Sequence, residues 1–268
     1  EGEKTMFGFV NCWLRTKVKA DFENVNGLAF LSDDGNLIVT PYAEPVEVHQ
    51  VYNIDWSILE DLNQMEFFIR PKESSPLYGI SFSKDSRSDK PQKKGKSIAT
   101  MVASKGCVAK CTFCHRWDPG IRYIPVPTLM ERIDFFIAKY NVGFIDFGDE
   151  NFGSDHKWLA EFLDEIKKRD LVWRVSGMRV STISLEWTKK MKGAGCSSMY
   201  FGMESGSQKM LDVMRKVTTV EQNKNVVKWL PANGIHTCLQ LVLGMPGESQ
   251  ETIEETMEFA NFYAQNSE

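Results

Sequence analysis

Three cysteines, Cys107, Cys111 and Cys114, are separated by three residues and then by two. Thiolates at this spacing can surround one small inorganic group, and three of them bind three of the four irons of a [4Fe–4S] cube. The fourth iron then stays open to a ligand that the protein does not supply. The pattern therefore predicts a cluster that takes part in chemistry, not one that only holds the fold together.

The three cysteines allow two other interpretations, a zinc site and burial as small apolar residues. A structural zinc site needs four ligands, and His115 could supply the fourth, but it directly follows Cys114 and would reach the same ion only with strain. Burial of cysteine as a small apolar residue better describes Cys12, Cys196 and Cys238, each of which stands alone among apolar neighbours.

The run from residue 106 to residue 115 resembles the cluster loop of the radical S-adenosylmethionine (radical SAM) enzymes. Their pattern is Cys-x3-Cys-x2-Cys with an aromatic residue before the last cysteine, the position that Phe113 occupies here. Residues 148–152 and 202–206 are similar to the branch of this superfamily that carries a cobalamin-binding domain upstream. The resemblance covers most of residues 24–268.

The resemblance implies a reaction as well as a fold. S-adenosylmethionine would chelate the open iron through its amino and carboxylate groups, accept one electron and break to give a 5′-deoxyadenosyl radical. A protein such as flavodoxin or ferredoxin would supply the electron, and the substrate would be a small molecule or biosynthetic intermediate. The branch implies a cobalamin-dependent methyltransferase or another biosynthetic modification, with the cobalamin domain expected before Glu1 because this chain lacks its Asp-x-His-x-x-Gly motif.

Charged residues matching the family's motifs are assigned to the methionyl part of S-adenosylmethionine. Asp149 and Glu150 match a short acidic motif that accepts hydrogen bonds from the ammonium group, and Glu150 is the first choice. The methionyl carboxylate needs a cation. Lys216 matches the family's Lys or Arg before a threonine and is assigned to it, and Arg179 is the second candidate. Such charge-assisted contacts stabilise a shielded ligand by about 1.5–3 kcal/mol.

Other residues are assigned, also by resemblance, to the nucleoside. Glu204 and Gln240 are expected to bind the ribose hydroxyls, and Phe113 is expected to pack near the adenine. Gly244 begins a glycine motif after the fifth strand, where the backbone could approach the nucleoside.

Strand and helix patterns alternate from residue 97 onward. The predicted strands are residues 98–104, 142–147, 172–176, 198–201 and 237–243. The predicted helices are residues 128–140, 156–168, 185–192, a pair within 208–230, and 252–264. This alternation predicts an α/β fold, a partial parallel (β/α) barrel that is incomplete at its carboxyl terminus. Most of the candidate site residues follow the carboxyl ends of strands, the face on which such barrels carry their active sites. They are the three cysteines, Asp149, Glu150, Arg179, Glu204 and Gly244.

Residues 1–96 were assigned to a short α+β leader. Strands are predicted over residues 7–12, 28–31 and 37–40, with a hairpin turn at residues 32–36. Residues 84–96 contain six Lys or Arg against two Asp and are predicted to be a solvated basic linker. The barrel is therefore expected over residues 97–268, and the chain looks like a fragment of a longer protein.

Composition excludes several other classes of protein. A formal net charge of −4 disfavours nucleic acid as a partner. No apolar run is long enough for a membrane span, and the cysteine usage suggests cytoplasmic thiols. Two alternative functions stay open: a tRNA-modifying enzyme similar to the methylthiotransferases, and a non-catalytic zinc-binding module. The former would need a second cysteine-ligated cluster in the leader, where only Cys12 occurs.

Overall fold

The structure is a computed structural model of the chain. It describes residues 2–44, 46–47, 49–50, 54–114 and 120–267. The chain divides into two compact units, Glu1–Ile54 and Asp55–Glu268. His115, the possible fourth zinc ligand, lies outside the described residues.

The first unit contains a helix and a hairpin. Helix α1 (Glu3–Thr16) replaces the strand predicted over residues 7–12, and that prediction was wrong. The residues that α1 turns inward, Phe9, Cys12 and Thr16, have helical spacing, which outweighs the strand preference of the short aromatic run. Strands β1 (Ala29–Leu31) and β2 (Leu37–Val39) form the predicted antiparallel hairpin.

The boundary between the units falls earlier than the sequence suggested. Residues 55–96 join the second unit, because β3 (Ile69–Pro71) pairs antiparallel with β4 (Ser97–Met101). The segment before β4 is also well packed, with Asp85 and Lys93 only 4% and 1% exposed. The prediction of a solvated linker over residues 84–96 was therefore wrong. Its charges find partners far along the chain, such as Lys192 for Asp85.

The second unit is organised by a central sheet. After β4 the chain forms a two-stranded antiparallel hairpin, β5 (Ser104–Cys107) and β6 (Gly120–Tyr123), so the strand predicted over residues 98–104 was wrong beyond Met101. The remaining strands are β7 (Val142–Phe147), β8 (Val172–Met178), β9 (Cys196–Glu204) and β10 (Leu239–Leu241). The sheet order is β10-β9-β8-β7-β4-β3, and only the β3–β4 pair is antiparallel.

This topology confirms the predicted α/β class with a mostly parallel sheet. Among the described residues the sheet is open, with β10 and β3 at its two edges. The helices of the second unit are α2 (Ser57–Asp61), α3 (Val126–Tyr140), α4 (His156–Ile166), α5 (Leu185–Gly193), α6 (Gln208–Val213), α7 (Val220–Ala232) and α8 (Gln250–Asn266). None of the helices in the described part is both long and apolar enough to cross a membrane.

Capping side chains explain why several helices begin where they do. Asp155 accepts hydrogen bonds from the first turn of α4, and Ser184 does the same for α5. Thr219 and Ser249 form capping boxes at α7 and α8. Each cap satisfies backbone N–H groups that would otherwise lack a partner. Asp155, Ser184 and Ser249 lie in segments that follow strands, and Thr219 lies between α6 and α7.

One face of the sheet is filled by an earlier part of the chain. A single π-helical turn (Tyr78–Phe82) places Phe82 in a buried cluster with Ile98, Phe144 and Val172. These last three residues lie on neighbouring strands β4, β7 and β8. Phe82 therefore packs near the amino ends of these strands, and the polar candidate residues lie at their carboxyl ends.

Candidate functional site

The three cysteines lie at the carboxyl end of the sheet. Cys107 ends β5 and is partly buried, Cys111 is buried, and Cys114 is exposed. The loop between them is fixed to the segment after α6, because the Thr112 N–H and hydroxyl donate to the carbonyls of Met214 and Val213 at 2.9 and 3.0 Å. The cysteine loop is thus held against the segment that carries Lys216.

A cavity of about 220 Å³ gathers most of the predicted site residues. Its lining includes the three cysteines and Phe113, Glu150, Arg179, Glu204, Lys216 and Gln240. These residues come from the loops or ends of β5, β7, β8, β9 and β10 and from the segment after α6. These residues therefore lie together at the carboxyl ends of the strands, where the sequence placed them.

The cysteine sulfurs are not arranged around a single ion. In the described part of the chain, no three His, Cys, Asp or Glu side chains are close enough to hold one metal ion. Three thiolates that each bind a different iron of a cube stand farther apart than three that bind one zinc. The cavity brings three thiols, a cation and polar acceptors together.

Lys216 and Glu204 form a buried ion pair in the cavity. The Lys216 ammonium donates to a Glu204 carboxylate oxygen at 2.6 Å, and each residue is only 7% exposed. The ammonium also lies 5.9 Å from the centre of the Phe113 ring. The residue predicted to bind a carboxylate and the one predicted to bind ribose hydroxyls therefore contact each other directly.

Arg179 connects the cysteine loop to the same segment. One guanidinium nitrogen donates to Cys111 Sγ at 3.8 Å, and the other donates to the Lys216 carbonyl at 2.8 Å. A guanidinium beside a sulfur stabilises negative charge on it. Arg179 was predicted as a second carboxylate ligand, but its contacts in the structure are with the cysteine and with the backbone of Lys216.

The backbone on both sides of the ion pair adopts the left-handed conformation. Glu204 has φ = 65°, and Arg215 and Val217, which flank Lys216, have φ = 50° and 55°. A β-branched residue such as valine is rarely found there, because its side chain crowds the backbone. Such conformations persist only where surrounding contacts impose them, and they concentrate at functional sites.

Two glycines bring the strands close to the cavity contents. A Cβ at Gly202 would lie 2.1 Å from Glu204 Oε1 and 2.9 Å from Lys216 Nζ. A Cβ at Gly177, which has φ = 70°, would lie 1.9 Å from the Asp149 carbonyl oxygen. Both glycines line the cavity, although the sequence analysis singled out neither as a site residue. A glycine near a strand end is the sequence signal that could have identified them.

The two acidic neighbours after β7 point to different places. The Asp149 carboxylate is buried and accepts hydrogen bonds from the Ala103 N–H and the Ser104 hydroxyl, and burial raises its pKa to about 6. Glu150 is exposed and lines the cavity. The structure therefore brings Glu150 to the cysteines, as its first-choice assignment requires, and directs the Asp149 side chain to the base of the cysteine hairpin.

The fifth strand contributes one predicted residue to the cavity. Gln240 lies on β10 beside Gly202 and lines the cavity. Gly244 has φ = 86°, and its N–H donates to the Glu248 side chain at 2.7 Å. Gly244 is not among the residues that line the cavity, so its approach to a nucleoside stays a prediction.

Comparison with known families identifies the class of protein. The family model of the radical SAM superfamily matches residues 101–260, which include the cysteine loop and the parallel strands. This match covers more than half of the chain, and the chain therefore belongs to the radical SAM superfamily.

Particular relatives agree with the predicted branch. The anaerobic magnesium-protoporphyrin IX monomethyl ester cyclase of Rubrivivax gelatinosus is 30% identical over 266 residues, which are 97% of this chain and 43% of the cyclase. The cobalamin-dependent S-adenosylmethionine radical enzyme OxsB, solved with aqua-cobalamin and S-adenosylmethionine, has a TM-score of 0.68 at 20% identity over 97% of this chain and 35% of its own.

A second solved structure is the radical S-adenosylmethionine methyltransferase TsrM from Kitasatospora setae. It has a TM-score of 0.64 at 18% identity over 98% of this chain and 48% of its own. At these identities the two structures establish the shared fold. The chain spans less than half the length of each of these three relatives.

Proposed function

We propose that this chain binds a [4Fe–4S] cluster through Cys107, Cys111 and Cys114 and uses it to cleave S-adenosylmethionine reductively. The observation that carries the proposal is the single cavity in which the three thiols meet a buried lysine, an exposed glutamate and an amide. The donors match the ligand, since S-adenosylmethionine offers a carboxylate, an ammonium, hydroxyls and an adenine ring. When bound, the cluster supplies the electron that breaks the sulfonium bond.

The residues of the chain bind and orient the cofactors. Arg179 holds the cysteine loop through its contact with Cys111 Sγ. Lys216 is the ligand proposed for the methionyl carboxylate, and Glu150 is proposed for the ammonium. For the carboxylate to bind, the Lys216 ammonium must divide its three donors between the ligand and Glu204, which it already contacts.

The nucleoside would occupy the side of the cavity toward β10. Gln240 is exposed there and can exchange hydrogen bonds with ribose hydroxyls. The Phe113 ring, 37% exposed, is available to pack against adenine. Gly202 leaves the space in which Glu204 and Lys216 meet, so any larger residue would displace both ligands.

The whole protein is proposed to be a cobalamin-dependent methyltransferase or another biosynthetic enzyme of this branch. The proposal is supported by the similar fold of OxsB, a cobalamin-dependent enzyme, and of TsrM, a methyltransferase. The 30% identity to the magnesium-protoporphyrin IX monomethyl ester cyclase supports it as well. No residue of this chain is assigned to cobalamin. The substrate is proposed to be a small molecule or biosynthetic intermediate, and the reductant a flavodoxin or ferredoxin. Thiolates that must stay reduced to bind iron favour a cytoplasmic setting.

The test is anaerobic reconstitution with iron and sulfide, followed by electron paramagnetic resonance of the reduced chain with and without S-adenosylmethionine. We expect about four irons per chain and a spectrum that changes when S-adenosylmethionine is added. Cys111→Ala should lose the cluster, whereas Cys238→Ser, at a half-buried cysteine outside the loop, should retain it. A wild-type chain without iron, or a cluster indifferent to S-adenosylmethionine, would overturn the proposal.

A further inference from the structure

The cysteine hairpin, strands β5 and β6 with the loop between them, is attached at its base to one other loop. Ser104 and Tyr123 are paired across the two strands at that base. The side chains of both residues hydrogen bond to residues 148–155, the segment between β7 and α4, which is called here the anchoring loop. Both strands of the hairpin are thus fixed to the same short segment.

Asp149 makes the attachment to β5. Its carboxylate accepts the Ala103 N–H, at 3.2 and 3.1 Å to its two oxygens, and the Ser104 hydroxyl. The side chain is buried, with the residue 5% exposed, and it does not line the cavity. A buried carboxylate with two donors is a strong local constraint, because losing either donor leaves the buried charge less well compensated.

Tyr123 makes the attachment to β6. Its hydroxyl lies 2.8 Å from Ser154 Oγ and accepts the Asp155 N–H at 3.2 Å. Its ring stacks on Trp158 with centroids 4.8 Å apart, and the Trp158 indole N–H donates to the Ile124 carbonyl at 2.8 Å. The strand that follows the cysteine loop is therefore held by contacts independent of Asp149.

The neighbouring strand fixes the anchoring loop from its other side. Because a Cβ at Gly177 would lie 1.9 Å from the Asp149 carbonyl oxygen, only glycine permits β8 to come this close. This approach holds the Asp149 peptide while its side chain turns to Ser104. The next side chain along the loop, Glu150, faces the cavity.

We infer that Asp149 is a positioning residue, which fixes the cysteine hairpin so that Cys107 is presented to the cluster, and that it does not bind S-adenosylmethionine. Adjacent acids would then divide two tasks: Asp149 holds the cluster loop, and Glu150 faces the ligand. The inference rests on the proposed function for its effect on the cluster. The attachment of the hairpin itself can be measured without any cofactor.

The first experiment measures amide hydrogen exchange in the chain without iron. In Asp149→Asn and Ser104→Ala, we expect exchange at residues 104–107 to speed up at least tenfold. The matched control is Ser176→Ala, which removes another serine hydroxyl near a strand end, one that donates to the Phe147 carbonyl. The control should leave exchange in the hairpin unchanged. Equal exchange in wild type, Asp149→Asn and Ser104→Ala would overturn the inference.

The second experiment measures iron per chain and the electron paramagnetic resonance spectrum after reconstitution. Asp149→Asn should load at least twofold less iron, and the cluster it holds should have altered g-values, an effect that a general loss of stability would not produce. The affinity of the loaded fraction for S-adenosylmethionine should stay within twofold of wild type. A much larger loss of affinity with normal iron loading would make Asp149 a ligand and refute the inference. If the wild type bound no iron, the proposed function would fail, and the exchange experiment would still decide the attachment.

Discussion

Two buried ion pairs of the second unit differ in where they lie along the strands. Asp146 and Arg174 face each other from within β7 and β8, with Arg174 Nε 2.5 Å from Asp146 Oδ1. Glu204 and Lys216 meet at 2.6 Å where β9 ends, beside the cavity. The first pair stands on paired strands, whereas in the second Glu204 and both neighbours of Lys216 have positive φ.

The surroundings of the two pairs differ as well. Arg174 also donates to Ser81 Oγ at 3.2 Å, and its guanidinium lies 4.9 Å from the centre of the Tyr200 ring. Lys216 and Glu204, by contrast, line the cavity beside the cysteines. The fold therefore supplies the partners of the pair inside the sheet, whereas the pair at the strand end borders a cavity. Each variant below tests this difference.

Removing the acid of the inner pair should have the largest effect. Asp146→Ala would leave a buried guanidinium without its carboxylate, which typically costs about 3–5 kcal/mol. We expect the free energy of unfolding, measured with urea and circular dichroism on the chain without iron, to fall by that amount. Replacing both partners, Asp146→Leu with Arg174→Met, should cost much less. A loss below about 1 kcal/mol for Asp146→Ala would mean that water reaches Arg174.

Asp149, an acid that follows the end of β7, should give a stability that depends on pH. Burial raises its pKa from 3.8 to about 6. The folded state therefore holds the proton more tightly, and its contribution is complete below about pH 4 and is lost as pH rises to about 6. Wild type should lose roughly 3 kcal/mol relative to Asp149→Asn over this range, in urea unfolding at each pH. A constant difference between the two chains would contradict the raised pKa.

These examples separate what the sequence could reveal from what it could not. The cysteine spacing is local, so candidate cluster ligands could be identified from it, and the carboxyl ends of parallel strands predicted which loops would meet. Asp149 and Glu150 are neighbours in sequence, and which of them faces the cavity depends on Ser104 and on the approach of Gly177. The sequence does not encode such long-range contacts in any local pattern.

The same limit explains the errors in the fold. Residues 84–96 have the composition of a solvated segment, but Lys93 is buried with its ammonium 3.2 Å from Asp170 Oδ1, and Asp85 pairs with Lys192. The strand predicted over residues 7–12 was wrong because a short aromatic run has the same composition in a strand and in a helix face. Only the wider spacing that includes Thr16 distinguishes the two.

Removing the cation of the strand-end pair should affect binding more than folding. Lys216→Met should weaken binding of S-adenosylmethionine to the reconstituted chain by about 10- to 100-fold, equivalent to about 1.5–3 kcal/mol for charged hydrogen bonds. Because Glu204 borders a cavity, it can be hydrated, and unfolding should change less than in Asp146→Ala. Equilibrium dialysis measures the affinity, with the exposed Lys209→Met as control. Unchanged affinity would remove Lys216 from the site.

The smallest effect should come from the backbone that presents Lys216. Val217 is 77% exposed with φ = 55°, so its side chain gains little from packing and strains the chain. Val217→Gly should raise the free energy of unfolding by about 1 kcal/mol, because glycine adopts this conformation without the crowding. Val213→Gly, at the end of helix α6, should instead lower it by about 0.5–1 kcal/mol.

The affinity of Val217→Gly for S-adenosylmethionine would then show whether the strained backbone at Val217 serves binding. If the left-handed turn serves to direct Lys216 into the cavity, Val217→Gly should bind S-adenosylmethionine more weakly even though the chain unfolds less readily. A more stable chain with unchanged affinity would show that Lys216 is held by its contacts with Glu204 and Arg179 alone. The two ion pairs would then differ in their exposure to water alone. Backbone strain would not be needed to explain how Lys216 is placed in the cavity.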